Sequence, residues 1–144
     1  MILVLNGPNL GRLGTREPEV YGTTTHDELA ALCVQAGADA GAEVEVRQTD
    51  DEGTMLGWLH EAADARTPVV LNPAAWTHYS YALRDACAAL TAPLVEVHLS
   101  QTHAREAFRH TSVVSPVAAA TITGMGVEGY RAAIRHLAAL AAPA

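Results

Sequence analysis

The sequence contains no lysine; all nine of its basic residues are arginine. That absence excludes imine chemistry through a side-chain amine, and it excludes a Walker-type phosphate-binding lysine. A high-GC codon bias would account for it, and the chemical exclusion stands whatever its origin. Positive charge is scarce altogether. The formal net charge of −7 argues against nucleic acid or an anionic membrane surface as the main partner. No apolar run approaches the roughly 18 residues that a membrane span needs. The apolar opening MILVL breaks off at Asn6-Gly7-Pro8 and has no basic flank, so it does not read as a signal peptide. Cysteine is limited to Cys33 and Cys87, both in alanine-rich helical patterns. They read as small buried hydrophobes in a reducing compartment, which makes a cytoplasmic location the expectation.

What is present is an alternation. The chain has 144 residues, 49% of them hydrophobic, enough for one domain over 1–144 with a substantial core. Apolar or alternating runs predict strands at Ile2–Asn6, Glu43–Gln48, Pro68–Asn72, Ala92–Ser100 and, more weakly, Ala118–Gly124. Helical spacing separates them. THDELAALCVQAGADAG starts on a Thr/Asp cap and carries Leu29, Leu32 and Cys33. DEGTMLGWLHEAADA places Leu56, Leu59 and Ala63 on one face, and SYALRDACAALT and VEGYRAAIRHLAAL follow. This pattern predicts an α/β fold: a flavodoxin-like, doubly wound, five-stranded parallel sheet in a three-layer α/β/α arrangement.

Ligands of such sheets bind beyond the carboxyl ends of the strands, and the polar oddities of this sequence fall there. The first strand runs into NGPNLGRLGTREPEVYG, with Asn6, Asn9, Arg12, Arg16 and Tyr21. The third runs into NPAAWTHYS, with Asn72 and His78. The fourth carries Glu96 and His98, then Ser100, His103, Arg105 and Arg109. Four of nine arginines in two loops of an acidic protein describe an anion site.

Glu96 and His98 lie two apart on a strand and so share a face. Two polar groups there are costly unless they satisfy each other or a ligand. The pair reads either as a buried ion pair or as a general acid held and oriented by a carboxylate. A metal site from His98, His103 and Glu96 has little support from spacing. The glycines at 7, 11 and 14 lack the GxGxxG order of a nucleotide loop and better suit a lid over a small ligand. Within that lid REPEVYG, Arg16–Gly22, fits no regular element, yet sets a phenol near a guanidinium. A phenol gives up its proton near pH ~10 unless a cation stabilises the phenolate. Tyr21 and His98 together make a base–acid pair suited to proton abstraction next to a carbonyl and loss of a hydroxyl. The alternative is a non-catalytic, flavodoxin-like module that clamps a small anion, or a flavin-binding flavodoxin proper.

Four stretches, LNGPNLGRLGTREPEVYG, RQTDDEG, LNPAAWTHYSYALRDA and PLVEVHLSQTHAREAFRHTS, fall in order along the chain. On them the sequence resembles the type II 3-dehydroquinate dehydratases. The resemblance implies a lyase that converts 3-dehydroquinate to 3-dehydroshikimate through an enolate, in the shikimate pathway or in quinate breakdown, with no cofactor and no metal. It implies that Tyr21 takes the C2 proton with Arg16 favouring its phenolate, and that Asn9 with a held water stabilises the enolate. His98, oriented by Glu96, would protonate the departing hydroxyl. Asn72, the amides of Leu99 and Ser100, and the Ser100 hydroxyl would hold the carboxylate, while His78 and Arg109 bind ring hydroxyls and Arg105 orders the lid. It further implies a homododecamer of four trimers, with Asp85 reaching a neighbour's site and Arg84 beside it at the same interface. Three positions depart from the family's pattern: Ala74 or Ala75 where glycine is frequent, and Asp50 and Gln101 where asparagine is usual. If the loop after Asn72 needs a positive φ, alanine strains it.

Overall fold

A computed structural model describes residues 1–15 and 17–143. Five parallel strands form one sheet: β1 (Ile2–Asn6), β2 (Val44–Gln48), β3 (Val69–Asn72), β4 (Leu94–His98) and β5 (Ala120–Thr123), ordered β2-β1-β3-β4-β5. The strands predicted as continuous apolar runs, β1, β3 and β4, are buried along their whole length. The edge strands β2 and β5 are partly exposed, which is why their sequences alternate or carry threonine.

A one-turn helix, α1 (Pro18–Tyr21), precedes α2 (His26–Asp39), α3 (Glu52–Ala65), α4 (Tyr81–Ala88) and α5 (Glu128–Ala141). Side-chain caps start the three middle helices. Thr25 and Glu28 form a reciprocal capping box on α2, Asp51 accepts from Thr54 N at 2.8 Å on α3, and Ser80 accepts from Leu83 N at 3.1 Å on α4. Each cap is worth about 1 kcal/mol. The α/β/α layering follows from alternation along the strands. Val4, Val70, Val95 and Val97 face α2 and α5 together with Leu29, Tyr130, Ile134 and Leu137, whereas Leu3, Leu5, Val69, Leu71 and Leu94 face α3 and α4 with Met55, Leu59 and Leu83. Gly37 lets α2 lie against β2, since a Cβ there would sit 2.3 Å from Val44 Cγ2.

Three details differ from the sequence reading. The buried face of α3 is Met55, Leu59 and Ala62, one position round from Leu56 and Ala63, because the longer Met55 side chain fills the core beneath β1 and β3. REPEVYG is not wholly irregular. Pro18 presets the first helical φ and Gly22, at φ 79°, ends the turn, so Pro18–Tyr21 forms α1. No α-helix connects β4 to β5; the run from 99 to 119 instead makes 3₁₀ turns at Thr102–Ala104, Ala107–His110 and Ser115–Val117. Among the described residues no helix is long and apolar enough to cross a membrane.

Candidate active site

Alternation along β4 turns Glu96 and His98 toward the face that carries α3 and α4, at the carboxyl end of the sheet. Glu96 is fully buried and its carboxylate is held on all sides. Oε2 accepts from His98 Nε2 at 2.5 Å and from Thr77 Oγ1 at 2.5 Å, and Oε1 accepts from Ser112 Oγ at 3.0 Å and from Ser115 Oγ at 2.7 Å. Burial alone would raise the carboxyl's pKa, but the hydrogen bonds from His98, Thr77 and Ser115 outweigh it and hold the group below its ordinary value. Glu96 is therefore an anion at neutral pH, and His98 points Nε2–H at it. The other ring nitrogen, Nδ1, is left for the cleft.

Next to His98, His78 comes from the 3₁₀ turn Ala74–His78, with ring centroids 6.5 Å apart. Its Nδ1 donates to Thr111 O at 2.7 Å, which fixes the ring and leaves Nε2 outward. Burial lowers its pKa; the Thr111 carbonyl partly opposes this, and the nearby charges of His98 and Arg109 add to the lowering. His78 is the neutral imidazole of the site at pH 7. Arg109 stays near it, with its Nε on Glu106 at 3.3 Å.

The opposite wall comes from the lid. Tyr21 ends α1 and packs partly against the α2/α5 core. Arg105 donates to its Oη at 2.9 Å, stacks its guanidinium 5.2 Å from the ring centroid, and donates to Ser100 Oγ at 3.3 Å. With a donor on that oxygen, the phenol's own proton has to point elsewhere. Asn9 sits at φ 70°, a left-handed conformation that asparagine tolerates, and its N–H donates to Asp50 Oδ1 at 2.9 Å. Gly7 permits the close approach of this loop to the next one: its N–H donates to Asn72 O at 2.8 Å, and a Cβ there would lie 2.9 Å from Pro73 O.

Asn9, Tyr21, Asn72, His78, His98, Leu99, Ser100, Arg105 and Arg109 all line one cleft of about 80 Å³. Glu96 stands behind His98. Asp85 is exposed on α4 and does not line the cleft, and Arg84 donates to Val113 O of its own chain at 3.1 Å. Arg16 lies outside the described residues. Among those described, no group of three or more His, Cys, Asp or Glu side chains is placed to hold a metal ion. The family model described as dehydroquinase class II matches residues 1–138. The chain belongs to that family.

Relatives agree closely with this chain. A 3-dehydroquinate dehydratase of Salinispora tropica is 69% identical over 140 residues, covering 97% of this chain and 98% of the relative. One from Kineococcus radiotolerans is 63% identical over 137 residues, covering 95% and 94%. The crystal structure of the type II dehydroquinase from Propionibacterium acnes superposes with a TM-score of 0.95 at 61% identity, covering 96% of this chain and 95% of that one. As a type II dehydroquinase the chain is a lyase, which sets aside the anion-binding module and the flavodoxin.

Sequence reasoning named nine of the fourteen residues lining the cleft and missed those holding them. Thr77, Ser112 and Ser115 around Glu96 come from two loops, and nothing in their spacing betrays a common target. Arg105 stood as an ordering residue of the lid; its place on the Tyr21 hydroxyl is more intimate than that. Asp50, noted only as a departure from asparagine, holds the Asn9 backbone. Tyr130, fully buried among the apolar positions of α5, carried one usable signal: its hydroxyl had to find a partner in the core.

Proposed function

We propose that this chain dehydrates 3-dehydroquinate by removing a proton from C2 and a hydroxide equivalent from C1, giving 3-dehydroshikimate and water through an enolate. The observation that carries the reading is one cleft with a phenol on one wall and a carboxylate-held imidazole on the other. Tyr21 Oη takes the C2 proton, and the electron pair moves onto the C3 carbonyl oxygen. The Arg16 guanidinium favours the Tyr21 phenolate, and Asn9, through a water, supports the negative charge that develops on the enolate oxygen. The pair then returns to form the C1–C2 double bond as the C1–O bond breaks, and His98 Nδ1–H delivers its proton to the leaving hydroxyl. Glu96 stabilises the protonated imidazole that this step requires.

Substrate is oriented from both sides. Asn72, Ser100 and the amides of Leu99 and Ser100 hold the carboxylate. His78 and Arg109 take the ring hydroxyls, and Arg105 ties the lid to the site. Asp85 serves the cleft of a neighbouring subunit in a homododecamer of four trimers, consistent with its exposed place on α4 outside its own cleft. Two buried, unpaired cysteines accord with work in the cytoplasm.

Enone formation, followed by ultraviolet absorbance with chelator-treated protein, tests the reaction directly. Turnover without added metal is expected; no turnover, or turnover only with metal, overturns it. Light scattering of dilute protein tests the assembly, and a fully active 15.1 kDa monomer would contradict both the dodecamer and the shared site.

A further inference from the structure

Asn6 and Asn72 end the neighbouring strands β1 and β3 as register partners, and both side chains are buried. Between them reaches the hydroxyl of Tyr130, the third residue of α5, itself fully buried. The Asn72 Nδ2 lies 2.8 Å from Tyr130 Oη, Tyr130 Oη lies 2.7 Å from Asn6 Oδ1, and Asn6 Nδ2 lies 3.1 Å from His26 Nε2. At the other end Asn72 Oδ1 accepts from Ala74 N at 3.1 Å.

Elementary donor counting gives this chain a direction. A backbone N–H can only donate, so the Asn72 atom facing Ala74 is oxygen and its nitrogen faces Tyr130. A hydroxyl has one proton. With the Asn72 amide donating to Oη, that proton goes to Asn6 Oδ1, and the Asn6 nitrogen is left facing His26. The imidazole must then accept through Nε2, as a neutral ring protonated on Nδ1. Burial lowers the His26 pKa against the opposing pull of Asp27, in accord with a neutral ring. Every link is satisfied in one orientation only. Among the described residues no buried side-chain nitrogen or oxygen lacks a partner. Turning the Asn72 amide over would set donor against donor at Ala74, and turning Asn6 over would leave the Tyr130 proton without an acceptor, inside a region where an unmade hydrogen bond is expensive. The result at the cleft is a fixed Asn72 amide with one N–H still available to a ligand.

We propose that Tyr130 and Asn6 are positioning residues for the reaction: their one-way hydrogen-bond chain, anchored on His26, keeps the Asn72 amide turned with an N–H toward the substrate carboxylate. The inference rests on the reading that Asn72 binds substrate. Neither residue touches substrate; both act through Asn72.

Steady-state kinetics of Asn72→Ala, Tyr130→Phe and the double variant, with thermal unfolding of each, separate the two claims. Asn72→Ala raises KM about tenfold or more, the loss of one hydrogen bond to a charged group. Tyr130→Phe raises KM several-fold with kcat nearly unchanged, and the double variant has a KM no higher than Asn72→Ala alone, because the second change has nothing left to act through. If Asn72→Ala leaves KM unchanged, the substrate-binding reading of Asn72 fails and the relay with it. If Asn72→Ala raises KM while Tyr130→Phe lowers only the melting temperature, or the two effects multiply, the relay alone is overturned. Should Tyr130→Phe not fold, Asn6→Leu against Asn6→Asp carries the same test. The aspartate keeps an acceptor for the Tyr130 proton and retains KM, whereas leucine raises it; equal KM for both defeats the relay.

Discussion

On the His98 wall, a buried strand supplies the two functional groups and four hydrogen bonds pin the carboxylate between two loops. On the Tyr21 wall, one turn of helix in a long connection supplies the phenol, and the partner it meets, Arg105, comes from another loop 84 residues away. In the first arrangement the sheet alone places both functional groups on one strand, and loop hydroxyls complete the cage around the carboxylate. The second exists only while two loops are closed on one another. The difference fits the chemistry. In the proposed reaction a proton donor held against a buried anion needs a rigid, satisfied cage, whereas a base carried on a lid withdraws for substrate to enter. Variants of the two walls should therefore fail in different ways.

The largest effects break catalysis on both walls and separate them by stability. Tyr21→Phe should lower kcat by ~10²-fold or more and leave the melting temperature almost unchanged, because the ring keeps its packing and the lid carries little of the fold's stability. His98→Ala should lower kcat by a comparable ~10²–10⁴-fold and also lower the melting temperature, since it strips the buried Glu96 carboxylate of one of its hydrogen-bond donors. A Tyr21→Phe variant that turns over normally removes Tyr21 from the mechanism, and one that melts early removes the contrast between the walls.

Thr77→Val and Arg105→Gln sharpen the contrast with smaller effects. Valine matches threonine in shape but cannot donate to Glu96, and the loss of a hydrogen bond to a buried carboxylate should cost about 1–3 kcal/mol in chemical denaturation. Arg105→Gln removes the contacts to Tyr21 and Ser100 on a half-exposed loop, so its stability should stay within about 0.5 kcal/mol of the parent while kcat/KM falls. The reverse ranking would mean that the lid, not the carboxylate cage, is the rigid wall.

How far the sequence could be read follows the same divide. The parallel strands at the centre of the sheet and most of the residues lining the cleft were legible because β1, β3 and β4 are continuous apolar runs, and each ends in an abrupt cluster of polar side chains. The face of α3 was misjudged by one position because Met55 and Leu56 are adjacent and only packing decides which turns inward. The cage on Glu96 was illegible for a different reason. Thr77, Ser112 and Ser115 are ordinary loop residues until the chain from 99 to 119 folds back over β4. Arg105's partner could not be read either, since loop closure over 84 residues leaves no local pattern.

Acid pH should act on the cage rather than the lid. The folded-state pKa of Glu96 is depressed, so its stabilisation is fully present above the ordinary glutamate value of about 4.3 and is lost as pH falls through the folded value. His78 and His26, whose pKa values are also lowered, favour the folded state above about 6.5 and lose that contribution as pH falls. Subtracting a Glu96→Gln variant cancels most of the histidine contribution. Urea midpoints from pH 7 to 3 should show the parent's advantage over Glu96→Gln shrinking below about pH 4.3. An advantage that stays constant down to pH 3 would mean that Glu96 is not the anion of the cage.

The smallest effect concerns the loop that joins the two walls. Ala74 adopts φ 50°, a conformation in which its Cβ crowds the backbone. It is held there because its N–H donates to Asn72 Oδ1 and because the 3₁₀ turn Ala74–His78 starts on it. Relief of left-handed strain is worth roughly 1–2 kcal/mol, while glycine's extra freedom in the unfolded chain takes back about 0.4–1 kcal/mol. Strain wins by a small margin. Ala74→Gly should stabilise the protein by about 0.5–1 kcal/mol, which at this size raises the melting temperature by a few degrees. KM should stay close to the parent value, because the hydrogen bond to Asn72 is made by the backbone and glycine retains it. A variant that melts lower would show that the loop's rigidity outweighs its strain. One that melts higher but binds substrate more weakly would show that the alanine holds Asn72 in place through its stiffness as well as its N–H.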